Sequence, residues 1–202
     1  MKFIRKLFST ILVLSCFFVI GLSSQGVALA GTVQLPQTGQ TICYDSAGTV
    51  KSCAGTGQDG ALQMGVSWPN PRFAVSGDCV TDNLTGLMWT KNASLPNGKR
   101  TWHQALDYVA SMNSGSGLFG YHDWRLPNVN ELESLVHADQ SNSATWLNTQ
   151  GFTNVQSDYY WSSSSSASNT GNAWAVDMWD GYVSRRSSAV WVNYVWPVRS
   201  GQ

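Results

Sequence analysis

The sequence predicts an α+β domain, and three observations carry that prediction. Two amphipathic segments in the middle of the chain each open with a capping box. The C-terminal third alternates apolar and polar residues with period two, and an Asp180-Gly181 turn sits inside that alternating stretch. The order is helix, helix, hairpin.

The first thirty residues read as an export signal. Lys2, Arg5 and Lys6 precede an almost unbroken apolar run from Leu7 to Leu22, and Ala28-Leu29-Ala30 supplies a small-x-small cleavage pattern. The run is short for a bilayer crossing, so no membrane span is expected after cleavage. It continues past Cys16, which favours ordinary secretion over lipid attachment at the loose Val13 to Cys16 lipoprotein box. The expected location is extracellular, cell-surface or periplasmic.

Lysine plus arginine and aspartate plus glutamate number twelve each, and the signal takes three basic residues and no acidic one. Nine basic residues then face twelve acidic ones, a balance that excludes general nucleic-acid binding. Residues 31–70 are rich in Gly, Thr, Gln and Ser and are expected to be a surface extension. Cys43 and Cys53 flank a turn-forming Asp45-Ser46-Ala47-Gly48, so a hairpin closed by their disulfide is the simplest pairing. Cys79 is left buried, free or bonded to another chain.

The domain proper is expected over residues 71–202. Asp82 to Gly86 is a turn, and Leu87-Met88-Trp89 a short buried strand. Thr101 and Gln104 open the first helix, with Trp102, Ala105, Leu106 and Val109 on one face. Asn128 and Glu131 open the second, whose stripe is Val129, Leu132, Leu135 and Val136. Beyond Tyr159, Trp174, Val176 and Met178 share one strand face. Asp180-Gly181 suits a type I′ turn, and the return strand runs from Tyr182 to Arg186. A last strand is expected to alternate from Val190 to Val198, ending at a sheet edge because Pro197 cannot donate to a ladder. Ser162 to Ser166 and the residues after them read as a loop.

Three segments carry a resemblance: Thr81 to Trp89 (TDNLTGLMW), Asp123 to Asn128 (DWRLPN) and Tyr160 to Ser163 (YWSS). Asn172 to Asp177 (NAWAVD) and a closing Pro197-Val198-Arg199 follow. In this order they resemble the Lcl C-terminal-domain family of secreted bacterial proteins. The resemblance implies a C-type-lectin-like fold, two helices on a small twisted, mostly antiparallel sheet with long loops. In the family's founding collagen-like adhesin the domain is associated with sulfated polysaccharide, although no Gly-X-Y repeat precedes it here.

No catalytic constellation stands out, and the chain is expected not to be an enzyme. The formylglycine-generating relatives of the implied fold need cysteines late in the domain, and none follows Cys79. His103, His122 and His137 lack metal-ligand spacing. The calcium-binding sugar loops of C-type lectins are absent. A structural calcium is compatible with oxygen donors at Asp78, Asp82, Asn83, Asp177 and Asp180.

All ten tryptophans lie at or after position 68. Trp89, Trp102, Trp124, Trp161, Trp174 and Trp196 fall on core-like positions, and Trp68 and Trp146 in loops. Trp179 and Trp191 remain, beside the only adjacent arginine pair after the signal. The expected ligand surface is therefore Trp179, Tyr182, Arg185, Arg186, Trp191 and Asn193, flat rings and polar groups suited to extracellular glycan. The alternative is an envelope structural module that displays the same frame to a surface protein.

Overall fold

The computed structural model describes residues 35–201, which lie in one compact unit. The expected export signal falls outside the described residues. Strands β1 (Cys43–Tyr44) and β2 (Val50–Lys51) form a small hairpin, and Cys43 is bonded to Cys53, as the spacing suggested. The Asp45 carboxylate holds the turn by accepting from the Ala47 and Thr49 N–H groups. A single helical turn, α1 (Asp59–Leu62), follows.

The extension is seated on the domain. Thr41 donates to Asp139 from both its N–H and its hydroxyl, each at 2.6 Å, and the Trp68 ring lies 4.8 Å from His137 and 5.7 Å from Trp146.

Strands β3 (Phe73–Ser76), β4 (Cys79–Asp82) and β5 (Leu87–Thr90) make an antiparallel meander. The turn between β4 and β5 is set by buried Asp82, which accepts from the Leu84 N–H and the Thr85 hydroxyl and is paired with Arg72 at 2.9 Å. Those oxygens are committed, which removes Asp82 from any calcium-ligand set. Helices α2 (Trp102–Ser111) and α3 (Val129–Glu133) follow. Both capping boxes form, with Thr101 and Gln104, and Asn128 and Glu131, exchanging side chain and backbone partners.

A further helix, α4 (Ser143–Thr149), carries Trp146 and was not legible in the sequence. It is too short to show a repeating stripe. Its first N–H groups are capped by chain distant in sequence: Ser143 donates to the Trp179 carbonyl and Ala144 to that of Met178.

The second sheet is β6 (Tyr159–Ser165), β7 (Asn172–Asp177) and β8 (Val183–Ser187), in that order and antiparallel. Its faces divide the core. Trp161, Ala173 and Ala175 pack with Ala105 and Val109 of α2, while Tyr160 and Val176 pack with Leu132 of α3 and Leu147 of α4. Strand β9 (Val198–Ser200) returns to pair with β5 at the edge of the first sheet.

Three local expectations are corrected here. Ser162 to Ser165 belong to β6, where the Ser162 hydroxyl donates to the Trp174 carbonyl across a register shift. The Asp180-Gly181 turn is not type I′, because Gly181 at φ 82° is in the left-handed region and Asp180 is not. The connection runs longer, burying Met178 and handing two carbonyls to α4. Residues 190–200 are not one strand either. Val190, Trp191 and Val192 are exposed, Asn193 and Tyr194 make single bridges to Arg100 and Tyr160, and pairing resumes only after Pro197.

Tryptophan fills the interior. Trp89, Trp124, Trp161 and Trp196 are buried, and the indole N–H of each of the last three donates to a backbone carbonyl (Leu118, Arg100 and Thr90). Trp102, Trp68 and Trp146 are half-buried.

Candidate functional site

Strand β8 is an edge strand, so side chains from both of its faces reach the rim of the sheet. Strand alternation sends Arg185 and Arg186 to opposite faces. Arg185 pairs across the ladder with Trp174. Its guanidinium carbon lies 5.9 Å from that ring, and Nη1 donates to the Ser168 hydroxyl at 2.6 Å. Arg186 pairs with Ala173, and its guanidinium lies 3.4 Å from the centre of the Tyr159 ring and 4.6 Å from that of Trp191.

Neither arginine is ion-paired among the described residues, whereas Arg72, Arg125 and Arg199 each meet a carboxylate. The Nε of Arg186 is buried without a hydrogen-bond partner. Aromatic rings therefore flank both guanidinium groups, and Arg186 also lies within electrostatic reach of Asp177.

Trp179 and Tyr182 sit in the 178–182 connection at one end of β8, and Trp191 follows the turn at the other end. Trp179, Tyr182 and Trp191 are 53%, 61% and 52% exposed, and the first and last are the exposed tryptophans among the described residues. The tip is rigid. Asp177 accepts from the Trp179 N–H, Asp180 accepts from the Tyr182 N–H, and Gly181 lies so close to Val136 that a Cβ would meet its Cγ1 at 2.7 Å. Burial, and then the nearby charges of Asp180 and Asp158, hold the Asp177 carboxyl above its ordinary range.

Asn193 does not join this surface. It is 1% exposed, its backbone is paired with Arg100, and its Nδ2 is buried without a partner. Asn193 is thus a correction: it follows the exposed run 190–192, where the chain turns inward to deliver Val195 and Trp196 to the core. Sequence reasoning also missed Tyr159, Trp174 and Ser168, the groups that seat the two arginines. Cross-strand register was the signal, since pairing β7 with β8 places Trp174 opposite Arg185.

A family model described as the Lcl C-terminal domain matches residues 78–199. The chain belongs to the Lcl C-terminal domain family. No curated protein matches it. The matched span of this Lcl C-terminal domain includes both sheets from β4 onward and the whole arginine-bearing rim, and it leaves out the disulfide hairpin. The disulfide and the family both suggest an extracellular protein. No helix among the described residues is long and apolar enough to cross a membrane. The Cys79 thiol is buried, and burial pushes its pKa up, which keeps it in the unreactive thiol form.

Proposed function

We propose that this Lcl C-terminal domain is an exported, non-enzymatic module with a C-type-lectin-like frame that binds glycan, with preference for sulfated polysaccharide. The observation that carries the reading is the β8 rim. It presents two arginines that form no ion pair among the described residues, Arg185 beside the Trp174 ring and Arg186 between the Tyr159 and Trp191 rings, with exposed Trp179 and Tyr182 at one end and Trp191 at the other. Indole and phenol rings stack on the apolar C–H face of a sugar, and a guanidinium pairs with sulfate or carboxylate through a planar fork.

The two arginines reach opposite faces of an edge strand. A polysaccharide crossing the rim contacts both, whereas a compact ligand contacts one. That geometry favours a polymer over a monosaccharide.

A glycan array probed in calcium and again in EDTA tests the reading. Signal concentrated on sulfated glycans, unchanged by EDTA, is the expected result. An empty array, together with a protein recovered by crosslinking from the native envelope, would replace it with an envelope protein-interaction module, for which the exposed Val190-Trp191-Val192 run is the natural contact.

A further inference from the structure

We infer that the domain carries a second binding site, an uncharged cleft for a neutral saccharide, formed where the 92–98 and 154–156 loops meet Tyr194. The cleft has a volume of about 360 Å³, and its lining includes Asn92, Ser94, Asn97, Asn154, Gln156 and Tyr194. That size falls within the roughly 300–1,000 Å³ of small-ligand sites.

The two loops are fixed against each other by backbone bonds. Ala93 donates to the Thr153 carbonyl at 2.9 Å, and Thr153 donates to that of Lys91 at 2.8 Å. The side-chain amides are oriented as well. The Asn92 Oδ1 accepts from the Ser94 N–H at 2.9 Å and from the Asn154 Nδ2 at 3.2 Å, which turns the Asn92 amino group away from both. The Gln156 Nε2 donates to the Asn154 carbonyl at 2.9 Å, which leaves its oxygen to accept. Asn97 and Asn154 both hold left-handed backbone, at φ 49° and 57°, a conformation that asparagine tolerates better than most residues.

Tyr194 supplies the flat wall. Its ring lies 5.5 Å from that of Tyr160 and 5.2 Å from the Lys99 Nζ. That ammonium is bound to Asp158 at 2.6 Å, and the Arg100 guanidinium behind Gly98 is turned to the Lys99 and Pro96 carbonyls. No lining residue carries a charge. A sulfate or carboxylate entering the cleft would lose hydration, and the lining offers it no charged side chain in return. The Asn92 amino group and the Asn154 and Gln156 oxygens, oriented by these bonds, offer a donor and acceptors that match sugar hydroxyls, which also donate and accept. The cleft shares no residue with the β8 rim, so this inference does not depend on the function proposed for that rim.

The test uses the exported protein and a panel of uncharged hexasaccharides of glucose, galactose, mannose and N-acetylglucosamine, with heparin as the anionic probe, read by saturation-transfer NMR and calorimetry. At least one neutral oligosaccharide is expected to bind. Asn97→Gly/Asn154→Gly keeps the left-handed backbone while removing two amides, and should weaken that binding about tenfold. Gln156→Ala is the second variant should the first fail to fold. Heparin retention should be unchanged in both, and Arg185→Ala/Arg186→Ala should leave the neutral ligand bound. Absence of binding to every neutral member, or binding that survives loss of the amides, overturns the inference.

Discussion

The guanidinium carbon of Arg186 lies 3.4 Å from the centre of the Tyr159 ring, the shortest of the cation–aromatic distances in the domain. The Trp191 ring is 4.6 Å from the same group, so an exposed tryptophan helps to hold a cation that meets no carboxylate among the described residues. Trp191→Ala should therefore separate stability from binding. Unfolding free energy is expected to fall by no more than about 1 kcal/mol, while retention on a sulfated polysaccharide drops. Trp161→Ala removes the same kind of side chain from a fully buried site and should cost about 3–5 kcal/mol. Denaturant titration of both variants reads the contrast, and equal losses would contradict it.

Arg72 and Asp82 form a buried pair, with side chains only 4% and 0% exposed. Arg72 also donates to the Ser134 carbonyl and lies 4.2 Å from the Trp68 ring, joining the first sheet, the segment after α3 and the extension. Asp82→Ala strands a buried cation and should destabilise the domain by about 3–5 kcal/mol. Thermal and denaturant unfolding check this, and a loss below about 1 kcal/mol would show that water reaches the pair.

Acid should weaken the seat of the extension. Burial against Trp68 and Trp146 holds the His137 pKa below its ordinary value; Asp139 opposes the shift and Arg72 adds to it. The unfolded chain then takes up a proton before the folded one does. The histidine's contribution is present above about pH 6.5 and is lost as pH falls toward the lower folded pKa. Melting temperatures between about pH 7.5 and pH 5 should decline more steeply in the native protein than in His137→Gln. Parallel curves would remove His137 from the account.

Reduction of the Cys43–Cys53 bond should loosen the hairpin and spare the core. The sequence separation is 10, so the bond closes a short loop and contributes roughly 2–3 kcal/mol to local order on a chain-entropy estimate. Limited proteolysis in reductant should cut between residues 44 and 52 while tryptophan fluorescence stays native. A shifted fluorescence spectrum on reduction would mean that the hairpin supports the core.

Elements specified locally were legible in the sequence. Thr101 with Gln104, Asn128 with Glu131, and the Asp45 to Gly48 turn each place partners within a few residues, and all three formed. Elements specified by distant chain were not. Helix α4 depends on carbonyls from Met178 and Trp179, and the 178–182 connection is lengthened by that same contact. Asn193 looked like a surface amide because the period-two pattern continued through it, whereas its pairing with Arg100 turns it inward. The exposure of Trp179 and Trp191 was readable by elimination. Arg185 and Arg186 read as one adjacent pair on a single surface, whereas strand alternation sends them to opposite faces. The amide cleft draws on segments about forty to one hundred residues apart in sequence, a distance no local motif spans.

The central claim is that the β8 rim is a polyanion-binding edge, and the most direct measurement is salt elution from heparin for the native protein and Arg185→Ala/Arg186→Ala. The native protein should be retained and should elute at a salt concentration that the double variant no longer requires, because exposed ionic contacts are screened by salt. Equal elution of a folded double variant, or no retention of the native protein at low salt, contradicts the claim.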